Sequence, residues 1–216
     1  MTATILARAV LLDMDGTLVD STAVVERLWL EWAKPHGLDP QHVLEVVHGR
    51  QGHQSMAILL PERDHAINLV ENQEMLARES GDVDGVVAIG GAQRLLASLA
   101  KHPHAIVTSA NVALMTARMD AAGLGIPDLA ITAESVSASK PHPEGFLKAA
   151  SLLGVEPAGC VVFEDSPAGI QAGLAAGMIV IGVGPLASVN DPTYAVDDLT
   201  QITIIEREDG FELTIG

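Results

Sequence analysis

Five short apolar runs rich in β-branched residues punctuate the chain at 9–12, 105–107, 129–131, 160–163 and 178–183, with helix-patterned stretches between the later ones. That alternation argues for a parallel sheet covered by helices, since parallel neighbours need a long crossover between them. Local signals agree: Asn111 can cap a helix ending near Ala122 with Gly123 as its stop, and Ser166 can cap one whose first turn holds Pro167. The longest apolar tract, 172–187, contains Gly173, Gly177, Gly182, Gly184 and Pro185. It falls short of the roughly 20 residues a bilayer span needs and reads as a helix end, a turn at Gly177 and a strand over 178–181.

From about 21 to 80 the pattern changes. Helical periodicity runs through Val24, Val25, Leu28 and Trp32, then Val43, Val46 and Val47, then Ile67, Val70 and Met75, and Asp39–Pro40 marks another helix start. The α/β pattern returns through 81–91, a stretch whose four glycines suit a hinge. The expected fold is therefore α/β: a Rossmann-like parallel-sheet core formed by 1–18 and 87–216, with an inserted α-helical cap domain at 19–86. Near the end, 202–215 holds two alternating segments around Asp209–Gly210, the turn chemistry of a hairpin.

The chain has 216 residues, 48% of them hydrophobic, which is enough for a real core in one or two domains. Its formal net charge is -16, from 12 basic and 28 acidic residues, so no basic face exists to neutralise nucleic acid or an anionic bilayer. The lone Cys160 lies in an apolar run and reads as a small buried hydrophobe. With no secretory pattern over residues 1–12, the expectation is a cytoplasmic protein, monomeric by default.

The residues that close each apolar run carry the chemistry. Val10–Leu11–Leu12 leads into Asp13–Met14–Asp15–Gly16–Thr17, Ile106–Val107 into Thr108–Ser109, and Val161–Val162–Phe163 into Glu164–Asp165. Strand ends in an open parallel sheet share one edge, where ligands bind, so Asp13, Asp15, Glu164 and Asp165 should meet there. Two carboxylates about 4 Å apart repel by roughly 4 kcal/mol at an effective dielectric of 20, so the cluster calls for a cation, and an all-oxygen ligand set suits Mg²⁺. One aspartate of the Asp-x-Asp pair can attack while the other moves protons. Backbone N–H groups after Gly16 and Thr108 can cradle a phosphate. Lys140, one of four lysines and followed by Pro141, can place its ammonium against the carboxylates and a phosphoryl oxygen.

These residues, taken in order (Asp13 to Thr17, Thr108, Lys140–Pro141, and Glu164–Asp165–Ser166 with Gly169), resemble the four motifs of the haloacid dehalogenase superfamily. The helical insert between the first two motifs resembles the phosphatase branch with a small helical cap. The segment Trp32–Ala33–Lys34–Pro35–His36–Gly37–Leu38 and His48–Gly49–Arg50 further resemble bacterial sugar-phosphate phosphatases of the 2-deoxyglucose-6-phosphate, glycerol-phosphate and hexitol phosphatase type.

The resemblance implies Asp13 as a nucleophile forming an aspartyl-phosphate, Asp15 as general acid and then base, and Thr108 and Lys140 on the phosphoryl group. It implies Mg²⁺ on Asp13, the main-chain oxygen of Asp15, and Asp165, with Glu164 beside it. Substrate contacts are expected from Arg50, His48, Ser109 and Gly16. Two departures stand out: Gly90–Gly91 replaces a frequent Pro–Gly at the return hinge, and Gln51 follows Arg50 where many relatives carry a second arginine.

The expected activity is Mg²⁺-dependent hydrolysis of small phosphorylated sugars or polyols. A phosphosugar mutase of the β-phosphoglucomutase type is the alternative, but such mutases carry a histidine in the first cap helix where this chain has Val25. A dehalogenase lacks the second aspartate. A non-catalytic role on this scaffold is disfavoured by the intact Asp13, Asp15, Thr108, Lys140 and Asp165. The remaining histidines, as in His102–Pro103–His104 and Lys140–Pro141–His142, lack a third nearby metal ligand. Trp29 and Trp32 are assigned to packing within the cap.

Overall fold

The structure, a computed structural model, describes residues 3–185, 187–207 and 210–216. Its main sheet has six parallel strands: β2 (Ala9–Leu12), β5 (His104–Val107), β6 (Ala130–Ile131), β7 (Cys160–Glu164), β8 (Ile179–Val183) and β9 (Tyr194–Val196), in the spatial order β6-β5-β2-β7-β8-β9. Alternate residues serve opposite faces. Val10, Leu12, Ile106, Val161 and Phe163 join one apolar cluster, while Ala9, Leu11, Ala105, Val107, Cys160 and Val162 join another. Burial on both sides is why these strands read as unbroken apolar runs.

Helices α5 (Ala92–Leu99), α6 (Val112–Ala121), α7 (Glu144–Leu153) and α8 (Pro167–Ala175) make the crossovers. Asn111 caps α6 through the Leu114 N–H, and Ser166 caps α8 through the Gly169 N–H, both as expected from sequence. The 172–187 tract is the end of α8, a turn at Gly177 and strand β8. No described helix is long and apolar enough to cross a membrane. Cys160 is buried and unpaired, and burial pushes its thiol up to about 11.

Between β3 (Val19–Asp20) and β4 (Val87–Ala88) lie α1 (Thr22–Ala33), α2 (Pro40–Val47), α3 (Gly52–Leu59) and α4 (His65–Gly81). β3 and β4 pair antiparallel, so the chain leaves and re-enters the sheet domain side by side. Val24, Val25, Leu28, Trp29, Val43, Met56 and Met75 carry the inner surface of these helices and are continuous with the core. Trp32 donates its indole N–H to Glu71 at 2.7 Å, a packing role.

Two parts of the fold are not apparent from the sequence. β1 (Ala3–Ala7), β10 (Ile202–Arg207) and β11 (Gly210–Ile215) form a separate antiparallel sheet in the order β1-β11-β10, and β9 extends the main sheet. The expected β10–β11 hairpin is present, although Asp209 of its turn lies outside the described residues. The 90–91 glycines also act differently from a loose hinge. Leu199 donates its N–H to the Gly90 carbonyl at 3.0 Å, and a Cβ on Gly91 would stand 2.4 Å from the Leu199 carbonyl carbon. They permit close backbone approach.

Candidate active site

The sheet order reverses at β2: the chain builds outward on one side through β5 to β6, then returns to β7 and builds outward on the other through β8 to β9. A crevice opens beyond the strand ends at such a point. Register makes the convergence concrete, because Leu12 pairs with both Ile106 and Phe163, and Asp13 donates its N–H to the Phe163 carbonyl at 3.0 Å. Asp13, Thr108 and Glu164 therefore occupy one edge, with Asp165 immediately beyond. Lys140 enters from the loop before α7.

Lys140 is 6% exposed, and its ammonium donates to Asp13 Oδ1 and to Glu164 Oε1, the latter at 2.6 Å. The other Glu164 oxygen accepts from the Ser166 N–H at 2.9 Å and the Ser166 hydroxyl at 3.0 Å. Glu164 is thus fully buried and engaged on both oxygens. Lys140 also stands 5.3 Å from the Phe146 ring centroid, a distance suited to a cation–π contact.

Carboxylate oxygens of Asp13, Glu164 and Asp165 lie within 4.8 Å of one another, and among the described residues this is the one such group able to hold a metal ion. One lysine faces three acids. Burial, then the Glu164 charge, pushes Asp13 up to about 8 despite Lys140, and burial with Glu164 and Asp13 raises Asp165 likewise. Burial works against the Lys140 charge, yet Asp13 and Glu164 hold it above the ordinary lysine range. Such an excess of buried oxygen donors fits a hard divalent cation.

Asp15 is not one of that group of three, but its charge acts on Asp13 and Asp165 and it lines one cavity with Asp165. Its Oδ1 accepts from Ser21 Oγ at 2.7 Å and its Oδ2 from Arg118 Nη1 at 2.7 Å. Both side-chain oxygens are thereby engaged, and the metal-holding role that the resemblance gives Asp15 is that of its main-chain oxygen. Arg118, 3% exposed on α6, also donates through Nη2 to Glu79 of α4 at 2.9 Å. Burial raises Glu79, with the Arg118 charge opposing.

The helical segment closes one side of a cavity of about 700 Å³, its open mouth included, lined by Asp15, Gly16, His48, Arg50, Ser109 and Asp165 among others. The turn between α2 and α3 rests directly on the sheet domain. Gly49 has φ +75°, a Cβ there would stand 2.1 Å from Ser166 Oγ, and the Gly49 carbonyl accepts from Ser109 Oγ at 3.3 Å. Ser139 reaches across similarly to Gln54 at 2.6 Å. Arg50 lines the cavity while donating to the Val46 carbonyl at 3.3 Å. Burial holds the His48 imidazole below the ordinary histidine range, against the pull of Glu26.

Thr108 is buried, and its Oγ1 accepts from the Ala110 N–H at 3.1 Å while keeping its hydrogen to donate. The Gly16 N–H is bonded to the Val19 carbonyl at 2.8 Å. What Gly16 supplies is room: a Cβ there would stand 1.9 Å from Asp165 Oδ2.

Arg118 and Glu79 were missed in the sequence. A signal existed for the arginine, since it shares the inward stripe of α6 with Leu114, Met115 and Met119. Glu79 follows Met75 by four residues and so faces inward with it, but an acid on a polar helix ordinarily reads as solvated.

The family model of the haloacid dehalogenase-like hydrolases matches residues 7–177. The chain belongs to this hydrolase family. The four motifs read from sequence thus identified it correctly. This haloacid dehalogenase-like chain is 41% identical over 205 residues to hexitol phosphatase A of Escherichia coli, covering 93% of this chain and 95% of that one. It is 33% identical to 2-deoxyglucose-6-phosphate phosphatase 2 of Saccharomyces cerevisiae, covering 95% and 94%. The crystal structure of β-phosphoglucomutase from Clostridium difficile superposes with a TM-score of 0.80 at 22% identity over 91% of this chain and 93% of that one, a likeness of fold.

Proposed function

We propose that this haloacid dehalogenase-like chain is a Mg²⁺-dependent phosphatase of small sugar or polyol phosphomonoesters, acting through an aspartyl-phosphate on Asp13. The observation that carries the reading is the placement of Asp13 against Lys140 at the strand edge, with Asp15 in an adjoining cavity bounded by Arg50 and His48. The relatives named for hexitol and 2-deoxyglucose-6-phosphate dephosphorylation support the substrate class.

In the first step an Asp13 carboxylate oxygen attacks phosphorus, and the bond to the sugar oxygen breaks as Asp15 gives that oxygen a proton. In the second, Asp15 takes a proton from water as the water oxygen attacks the phosphorus of the acyl phosphate, releasing inorganic phosphate and restoring Asp13. Lys140 and the Thr108 hydroxyl donate to the phosphoryl oxygens. Asp13, Asp165 and the main-chain carbonyl of Asp15 would hold Mg²⁺, with Glu164 supporting from behind through Lys140. When bound, the ion supplies charge neutralisation that lets a phosphate dianion approach this acidic edge.

The helices at 19–86 serve as a cap whose α2–α3 turn reads the organic part of the substrate and excludes water. Hydrolysis is favoured over the mutase reaction because Val25, which lines the cavity, offers no titratable group. The test is phosphate release over a panel of hexose, hexitol and glycerol phosphates with Mg²⁺. Release that EDTA abolishes is expected. Turnover surviving full chelation, or phosphoryl transfer between sugar hydroxyls in place of release, overturns the reading.

A further inference from the structure

The Asp15 carboxylate is gripped on both oxygens by donors from different parts of the molecule. Ser21 precedes α1 in the helical insert, whereas Arg118 belongs to α6 beside the sheet. Arg118 is itself fixed by a second insert residue, Glu79 of α4. The guanidinium divides its two terminal nitrogens between these acids, and Nε has no partner. All four residues line the same cavity.

A buried arginine inside an apolar helix stripe is unfavourable unless its partners are well placed, so its location needs an account beyond packing. Resting on the phosphatase reading above, we propose that Arg118 is a positioning residue: with Ser21 it holds the Asp15 carboxyl group toward the sugar oxygen, and Glu79 ties that orientation to the seating of α4. The acid–base geometry is then complete only when the last helix of the insert is docked on α6. A planar guanidinium suits this task because its fork fixes direction as well as distance, which a lysine ammonium does not.

The step affected is proton delivery. As the phosphorus–oxygen bond breaks, its electron pair moves to the sugar oxygen, and the Asp15 proton moves to the same oxygen. An alkoxide leaves poorly without that proton. p-Nitrophenolate leaves well without it, so in the phosphorylation step misplacement of Asp15 should cost far more on an alkyl ester than on the aryl ester, whereas the later attack of water is common to both.

The experiment compares kcat and KM of the full chain with Mg²⁺ on p-nitrophenyl phosphate and on the sugar or polyol phosphate that the wild type hydrolyses fastest. Arg118→Met should lower the alkyl-to-aryl ratio of kcat/KM, which reports the phosphorylation step, by about tenfold or more. Arg118→Lys should restore the ratio only in part. Ser21→Ala and Glu79→Gln should lower it in the same direction by smaller factors.

If Arg118→Met does not fold, the double variant Glu79→Gln/Arg118→Met removes both buried charges and carries the same test. A kcat/KM ratio unchanged in these variants, whether both substrates lose equally or neither loses, overturns the proposal. A wild-type chain that releases phosphate from no ester overturns the phosphatase reading itself. That outcome is visible before any variant is made and takes this inference with it.

Discussion

Glu164 shows how an enclosed residue can hold in place one that faces Asp13. Its carboxylate is fully enclosed and joins Ser166 to Lys140. Gly169 is what makes room, since a Cβ there would stand 1.7 Å from Glu164 Oε1. Gly169→Ala should therefore cost about 1–3 kcal/mol of stability through overpacking, measured by urea unfolding. By shifting Lys140 off Asp13 it should also lower kcat, on the order of a hundredfold for a displacement near 1 Å. Loss of stability with kcat intact would detach Glu164 from catalysis. The two aspartates should fail differently: Asp13→Asn should abolish turnover, whereas Asp15→Asn should lose roughly 10²- to 10⁴-fold, with the phosphorylation step, read as kcat/KM, partly rescued by the good leaving group of p-nitrophenyl phosphate. At this scale the carboxylates and Lys140 were legible because they sit in short motifs beside strand ends or a proline-stiffened loop. Arg118 and Glu79 were not, because a charged residue in a helix betrays its burial only through a partner distant in sequence.

The turn between α2 and α3 is the element that brings the insert onto the crevice. Arg50→Ala removes a cation from the cavity and should lower kcat/KM for sugar phosphates about ten- to a hundredfold, the cost of a charged hydrogen bond, with a smaller loss on p-nitrophenyl phosphate. The Val46 carbonyl also loses one of its two side-chain donors, keeping Ser55 Oγ at 3.3 Å, so at most a slight fall in melting temperature should accompany it. Equal losses on both substrates would move Arg50 to the phosphoryl group. Among elements, β2, β5, β7 and β8 were plain in the sequence, since strands buried on two faces are uniformly apolar. β1 went unseen because it pairs with β11 in another sheet and shows exposed residues such as Leu6, 65% exposed. β9 is a three-residue edge strand, too short for any pattern to register.

For the molecule as a whole, the acidic edge links stability to metal and to pH. Asp13 is held above its unfolded value of 3.8, up to about 8, so the metal-free fold binds a proton that the unfolded chain has released. Stability from this group is greatest at low pH and declines as pH rises from about 4 to 8. Mg²⁺ competes with that proton, so its stabilising effect should grow over the same interval. At a hundred times its dissociation constant it should add about 2.7 kcal/mol, read as a rise in melting temperature that EDTA reverses. A Mg²⁺ effect that shrinks toward pH 8 would place the ion elsewhere.

The ribbon of β3 and β4 has one more consequence, for how such a chain can diversify. Val19 lies opposite Ala88 and Asp20 opposite Val87, so residues 21–86 begin and end at neighbouring points. An insert rooted in this way can be lengthened, shortened or exchanged without rethreading the sheet or disturbing the strand that carries Asp13. Lineages, or laboratory chimaeras, can thereby alter which alcohol is recognised while keeping the strand that carries Asp13, provided the new insert again supplies partners to Asp15 and Arg118 where Ser21 and Glu79 stand.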